Sequence, residues 1–104
     1  MSRAQVPEWL KNARDANEPE IIHRINALGG AWRACSRHEG HDGWVLFRER
    51  WYKVEVKNPA KKWTLTKAER AEMVWTEANG GVYWILEYPA DVDDMLGLKL
   101  KWSL

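Results

Sequence analysis

Glu55 and Lys57 stand one residue apart in a stretch, Trp51 to Lys57, whose β-branched and aromatic content reads as a strand. Residues two apart in a strand share a face, so Glu55 and Lys57 project together while Val54 and Val56 turn to the other side. Trp44 to Phe47 reads as a second strand, joined to the first by a tight connection through Arg48, Glu49 and Arg50. With the connection centred between Arg48 and Glu49, antiparallel pairing sets Asp42 opposite Glu55, facing side chains within roughly 5.5 Å. Two carboxylates then converge beside one ammonium. Oxygen ligands of this kind hold Mg²⁺ while leaving it waters and open positions for a phosphate, which suits phosphodiester hydrolysis. Lys57 can orient or help deprotonate the attacking water, or stabilise the charge that develops on phosphorus. The plain alternative for an isolated Glu-x-Lys triplet is a cross-strand salt bridge on a solvated sheet face.

The elements that must position these groups follow from periodicity. A first helix is expected from Glu18 to Leu28, with Pro19 at its start, Ile21, Ile22, Ile25 and Leu28 on one stripe, and Gly29-Gly30 as its stop. Ala31 to Cys35 alternates as a short strand, and Ser36 to Gly43 is a polar loop rich in His, Arg and Gly. After the hairpin comes a basic loop from Asn58 to Trp63. A second helix then runs to Ala78, because Thr66-Lys67-Ala68-Glu69 has capping-box spacing and Gly80-Gly81 follows. Ala71, Val74, Trp75 and Ala78 are expected to form its inward stripe. The apolar run Val82 to Leu86 suits a buried crossover strand, which makes the sheet mixed. Pro89 to Leu96 reads as a turn into a short acidic helix. Residues 1–17 read as an amino-terminal arm or short helix without assigned chemistry, and residues 97–104 as a carboxy-terminal edge strand. No internal repeat or low-complexity segment interrupts the pattern. The class is α/β, a central mixed sheet flanked by helices.

The totals bound this reading. A chain of 104 residues fits one domain, with roughly two-thirds of its unfolded surface available for burial. Sixteen Lys and Arg against fifteen Asp and Glu leave a net charge of +1, so any affinity for phosphate must come from local clustering. The single cysteine, Cys35, rules out an intrachain disulfide, and no apolar run resembles a signal peptide or bilayer span, so a cytoplasmic protein is the default. Eight tryptophans supply core volume or flat faces for stacking on bases.

The order of several features resembles the VRR-NUC branch of the PD-(D/E)XK nucleases, related to Holliday-junction resolvases and common as small phage proteins. The resemblance covers Glu18 to Leu96. It includes a helix with a leading glutamate ending in Gly-Gly, an acidic Gly-x-Asp loop, and a strand pair ending Glu55-Val56-Lys57-Asn58-Pro59. It continues through a basic loop, Leu65-Thr66 opening a helix, Gly80-Gly81, and an apolar strand leading to Asp91-Val92-Asp93-Asp94. The resemblance implies a restriction-endonuclease-like core, and a Mg²⁺-dependent DNA endonuclease in which Mn²⁺ substitutes, acting in a bacterial or phage-infected cell on branched or nicked DNA. It implies Asp42, Glu55, the Val56 carbonyl and the helix-one glutamate, Glu18 rather than Glu20, as metal ligands, and Lys57 as the catalytic lysine; the alternative for Glu18 is that it only complements the helix dipole. Where the family has Pro-Asp this chain has His41-Asp42, and where it has a helical glutamine this chain has Glu69. A carboxylate at 69 either repels phosphate near the site or serves only the capping box. Arg33, Arg37, His41, Lys53, Lys61 and Lys62 border the expected site as phosphate contacts. The alternative for His41 is an exposed loop residue without a role, and His23 and His38 carry the same two readings; Trp63 suits either core packing or base stacking. Paired incisions need two sites, which points to a homodimer. The rival function is a nucleic-acid- or protein-binding module on the same fold without turnover.

Overall fold

The structure, a computed structural model, describes residues 15–36 and 39–98. The elements are α1 (Glu18–Ala27), β1 (Ala31–Ala34), β2 (Gly43–Phe47), β3 (Arg50–Val56), α2 (Lys67–Ala78), β4 (Tyr83–Leu86) and α3 (Pro89–Met95). The strands form one mixed sheet in the order β1-β2-β3-β4, antiparallel except for the parallel β3–β4 pair that closes the crossover through α2. The α/β class and mixed sheet expected from the sequence are therefore found. Most of the expected amino-terminal arm, residues 37 and 38, and nearly all of the expected carboxy-terminal strand lie outside the described residues.

The β2–β3 connection is the two-residue turn Arg48-Glu49, both with positive φ (50° and 68°), as a hairpin turn matching strand twist requires. Its register pairs Phe47 with Arg50 and Gly43 with Val54. Continuing that register by one residue brings Asp42 to Glu55.

The two faces of the sheet differ in chemistry. One carries Val45, Phe47, Val54, Val56 and Leu86, packed against Ile21 and Ile25 of α1 and Val92, Met95 and Leu96 at α3. Each fully buried aliphatic chain there contributes about 1.5–3 kcal/mol, so the apolar driving force sits on this side and leaves the other available for charge. A bidentate Arg24–Asp93 pair ties α1 to α3 outside that core.

The opposite face carries Asp42, Trp44, Trp51, Lys53, Glu55 and Lys57, and α2 lies across it. Here the expectation for α2 is corrected: Ala71, Val74, Trp75 and Ala78 are exposed, and the inward side chains are Glu69, Glu72 and Thr76. The reason is what they cover. Lys53 and Lys57 are themselves buried, and a buried ammonium without a partner costs several kcal/mol, more than exposing a valine or an indole. The helix therefore rotates its acids inward. Its start is as expected, with Thr66 as N-cap and reciprocal bonds to Glu69.

Candidate active site

Asp42 is held by its own backbone. Its N–H donates to the Val54 carbonyl at 2.9 Å and its carbonyl accepts from the Cys35 N–H at 2.8 Å. Its carboxylate then reaches β3 itself, where Oδ2 accepts the Val56 N–H at 2.7 Å. Preceding it, Gly40 takes φ +79°, and a Cβ there would lie 2.9 Å from both the Ala68 carbonyl oxygen and the Glu72 Cβ, so only glycine allows the loop this close to α2. The Tyr83 hydroxyl donates to the Gly40 carbonyl at 2.5 Å. Burial and the negative charges of Glu55, Glu69 and Asp42 push the Tyr83 phenol well above its usual range, which keeps it a donor.

Glu55 is 3% exposed, and its Oε1 has no hydrogen-bond partner among the described residues. Burial first, then the Asp42 charge and a hydrogen bond to Glu69, push its carboxyl up to about 9, against the opposing pull of Lys57. At neutral pH Glu55 therefore keeps a proton, directed to Glu69. Lys57 Nζ lies 2.7 Å from Glu69 Oε1 and 3.3 Å from Glu55 Oε2, and 5.8 Å from the centre of the Trp63 ring. Burial works against its charge, but the bond to Glu69 and the neighbouring acids raise its pKa overall. Glu69 is lowered: burial raises it, and the bonds from Lys57 and the Thr66 N–H outweigh that. Its two expected roles, helix cap and site residue, are thus combined in one carboxylate.

A divalent cation at this site would need oxygen ligands from the acids of β3 and of the loop before β2. Glu55 and Glu69 face the Lys57 ammonium, Glu69 is already engaged by Lys57 and Thr66, and Glu55, which feels the Asp42 charge, has a buried Oε1 that no donor reaches among the described residues and a proton that a cation can displace. Asp42 and Glu55 are the residues that would hold it. Val56 contributes its N–H to Asp42, and Glu18 is buried in the first turn of α1.

Several expected phosphate contacts are corrected. Lys53 is 7% exposed, paired with Glu72 and bonded to Thr76 Oγ1 at 2.9 Å, so its ammonium is already consumed within the fold. His41 is buried rather than an exposed loop residue, with Nδ1 3.1 Å from the Gly43 carbonyl and its ring edge-on to Trp44 at 5.0 Å. Burial lowers its pKa, which favours the neutral ring. Arg33, Lys61 and Lys62 are exposed, while Arg37 lies outside the described residues.

Other residues at the site gave no clear sign in the sequence. Asp15 is raised by burial and feels Lys57, Lys61 and Glu69, which puts it at the rim. Asn17 Nδ2 donates to the Lys57 carbonyl at 3.0 Å and the Glu87 carbonyl at 2.8 Å, instead of capping α1 with its side chain. Glu87 in turn accepts the Trp63 indole N–H at 2.9 Å. Asn17, just before a Pro-started helix, reads as an ordinary cap, so its longer reach is invisible locally.

A second grouping, Cys35, Glu39 and His41, has ligand atoms within 4.8 Å of one another. Cys35 Sγ is 3.7 Å from both His41 ring nitrogens, and Nδ1 is also 3.1 Å from the Gly43 carbonyl.

No family profile, curated protein or solved structure matches this chain.

Because Glu69 both caps α2 and holds Lys57, Glu69→Gln separates its two functions. Glutamine can still accept the Thr66 N–H, but it leaves the buried Lys57 ammonium with Glu55 as its remaining acidic neighbour, so stability should fall by roughly 3–5 kcal/mol while the ammonium becomes available to a phosphate. A lower KM for a nucleic-acid substrate is expected, read from kcat and KM measured separately. Unchanged constants would make Glu69 purely a cap.

Proposed function

We propose that this protein is a divalent-cation-dependent nuclease that hydrolyses DNA phosphodiester bonds, most simply as an endonuclease, with Asp42 and Glu55 binding the cation and Lys57 acting in the chemical step. One observation carries the reading: Glu55 holds a buried carboxyl group beside Asp42 and Lys57 whose Oε1 no donor reaches among the described residues. Bound there, Mg²⁺ or Mn²⁺ would neutralise charge on the phosphate and lower the pKa of a water. Asp42 is oriented for this by the Val56 N–H, and Lys57 presents an ammonium whose proton can be shared with an attacking water or a phosphate oxygen. Arg33, Lys61 and Lys62 suit backbone phosphates. Among the described residues no helix is long and apolar enough to cross a membrane, and we read the protein as cytoplasmic, acting on branched or nicked DNA as a homodimer.

The test is incubation with supercoiled plasmid and with a four-way junction, in Mg²⁺, Mn²⁺ or EDTA. Cleavage confined to the metal-containing samples is expected. Asp42→Asn should lose both cleavage and calorimetric Mn²⁺ binding, and full binding by that variant would remove Asp42 from the site.

The Lys57–Glu69 ion pair favours one second reading, a nucleic-acid-binding module without turnover, because it keeps the ammonium engaged. Binding of DNA by parent and Glu69→Gln alike, with cleavage by neither in either metal, would select it.

A further inference from the structure

We propose that Trp44, Trp51 and Trp75 form a stacking platform for unpaired nucleobases, so that the strand presented to the candidate active site is single-stranded where it crosses this end of the sheet. The inference rests on the nuclease reading and specifies its substrate. In β3, Trp51, Lys53, Glu55 and Lys57 alternate onto one face, and the pairings Arg33–Trp44 and Trp44–Lys53 place Trp44 on it too. Trp51 and Trp75 are 55% and 61% exposed, and none of the three tryptophans belongs to the core cluster. Trp44 and Trp51 meet perpendicularly at 6.3 Å and line an apolar hollow of about 370 Å³. Lys53 Nζ sits 5.4 Å from the Trp44 ring and 5.2 Å from that of Trp75, joining the sheet to α2.

Charge complementarity selects the occupant. Exposed Arg33 lies in the same cross-sheet row as Trp44, and Lys67 and Arg70 flank Val74 and Trp75 along a groove on α2. Aromatic faces interleaved with cations suit a polyanion carrying flat rings, in which bases stack and the backbone follows the cations. Paired bases in a duplex have no faces to offer, so the strand must be open. Trp51 lies about 13 Å along β3 from Glu55, a straight distance equal to about four stacked nucleotides at roughly 3.4 Å each.

The test is fluorescence anisotropy in EDTA, so that no cleavage intervenes, with a labelled oligothymidylate, a base-less oligomer of the same length and a duplex. The parent should bind oligothymidylate more tightly than the base-less oligomer by roughly five-fold or more. Trp51→Ala should erase that difference while leaving base-less binding unchanged, and Trp51→Phe should restore much of it. Equal affinity for the two oligomers, or a Trp51→Ala loss that is the same on both, would overturn the platform. So would light scattering that shows a dimer for the parent and a monomer for Trp51→Ala, since the patch would then be an interface between copies. Metal-dependent plasmid cleavage with base-indifferent binding would sink the platform alone. Base-dependent binding without cleavage in any metal would sink the nuclease reading and leave the platform standing.

Discussion

Glu55→Gln is expected to melt well above the parent at pH 8, to melt with it near pH 4, and to cleave nothing. The Glu55 carboxyl has an ordinary value of 4.5 and is raised to about 9 in the fold. Between those values the folded chain holds a proton that the unfolded chain releases, so stability falls as pH rises. The contribution is fully present below the unfolded value and is lost as pH rises through the folded one. At about 1.36 kcal/mol per pH unit, the penalty relative to a neutral side chain reaches roughly 3–5 kcal/mol by pH 8. Glutamine removes it, and its amide N–H can donate to Glu69 as the carboxylic acid does. In a chain of this size that corresponds to an increase of 10 °C or more, on the order of 4–8 °C per kcal/mol. Mg²⁺ should raise the melting temperature of the parent at pH 8, because a cation binding the folded state replaces the proton, and should do little for the variant. Circular dichroism melts at both pH values, with and without Mg²⁺, decide the matter. Coincident melts for parent and variant at pH 8 would mean that Glu55 is not held protonated by its surroundings.

Lys57→Met should lower the single-turnover cleavage rate by at least about a hundredfold, the usual scale for a positioned acid–base or electrostatic group. Metal binding should survive, since the cation ligands are Asp42 and Glu55. Methionine keeps an apolar stem beneath Trp63, but it leaves Glu69 without its ammonium, and breaking a buried pair costs on the order of 3–5 kcal/mol. The cleaner comparison is therefore Lys57→Met with Glu69→Gln, which removes both charges together. A double variant that folds, binds Mn²⁺ and cleaves at the parental rate would leave Lys57 a structural residue.

What the sequence revealed follows the range of the forces involved. Alternation along Trp51 to Lys57 and the tight turn after Phe47 are local, and they yielded both the shared face of Glu55 and Lys57 and the register that brings Asp42 alongside. The capping box at Thr66 was equally legible, and the apolar run became the parallel strand β4, but as an edge strand over Tyr83–Leu86 with Val82 exposed rather than as a fully buried strand from Val82. The orientation of α2 was not. An apolar stripe normally turns inward, and here Val74 and Trp75 face outward because Lys53 and Lys57 beneath the helix require acids. The same cause removed Lys53 from the phosphate contacts. His41, Asn17 and Tyr83 acquire their roles from partners across the chain or across the sheet, such as the Gly40 carbonyl that receives the Tyr83 hydroxyl. No window along the chain displays such contacts.

The Arg48-Glu49 turn stands at the far end of the hairpin from Asp42, on the order of 20 Å away at ~3.4 Å per strand residue. It touches none of the acids, yet its length alone decides which residue meets Glu55. The tip of the hairpin works as a gauge block: one residue added there would slide β2 along β3 by a step and carry Asp42 to the wrong side of the sheet. Alignment of the two carboxylates is thus governed from a distance, by a count of residues in a loop with no chemistry of its own.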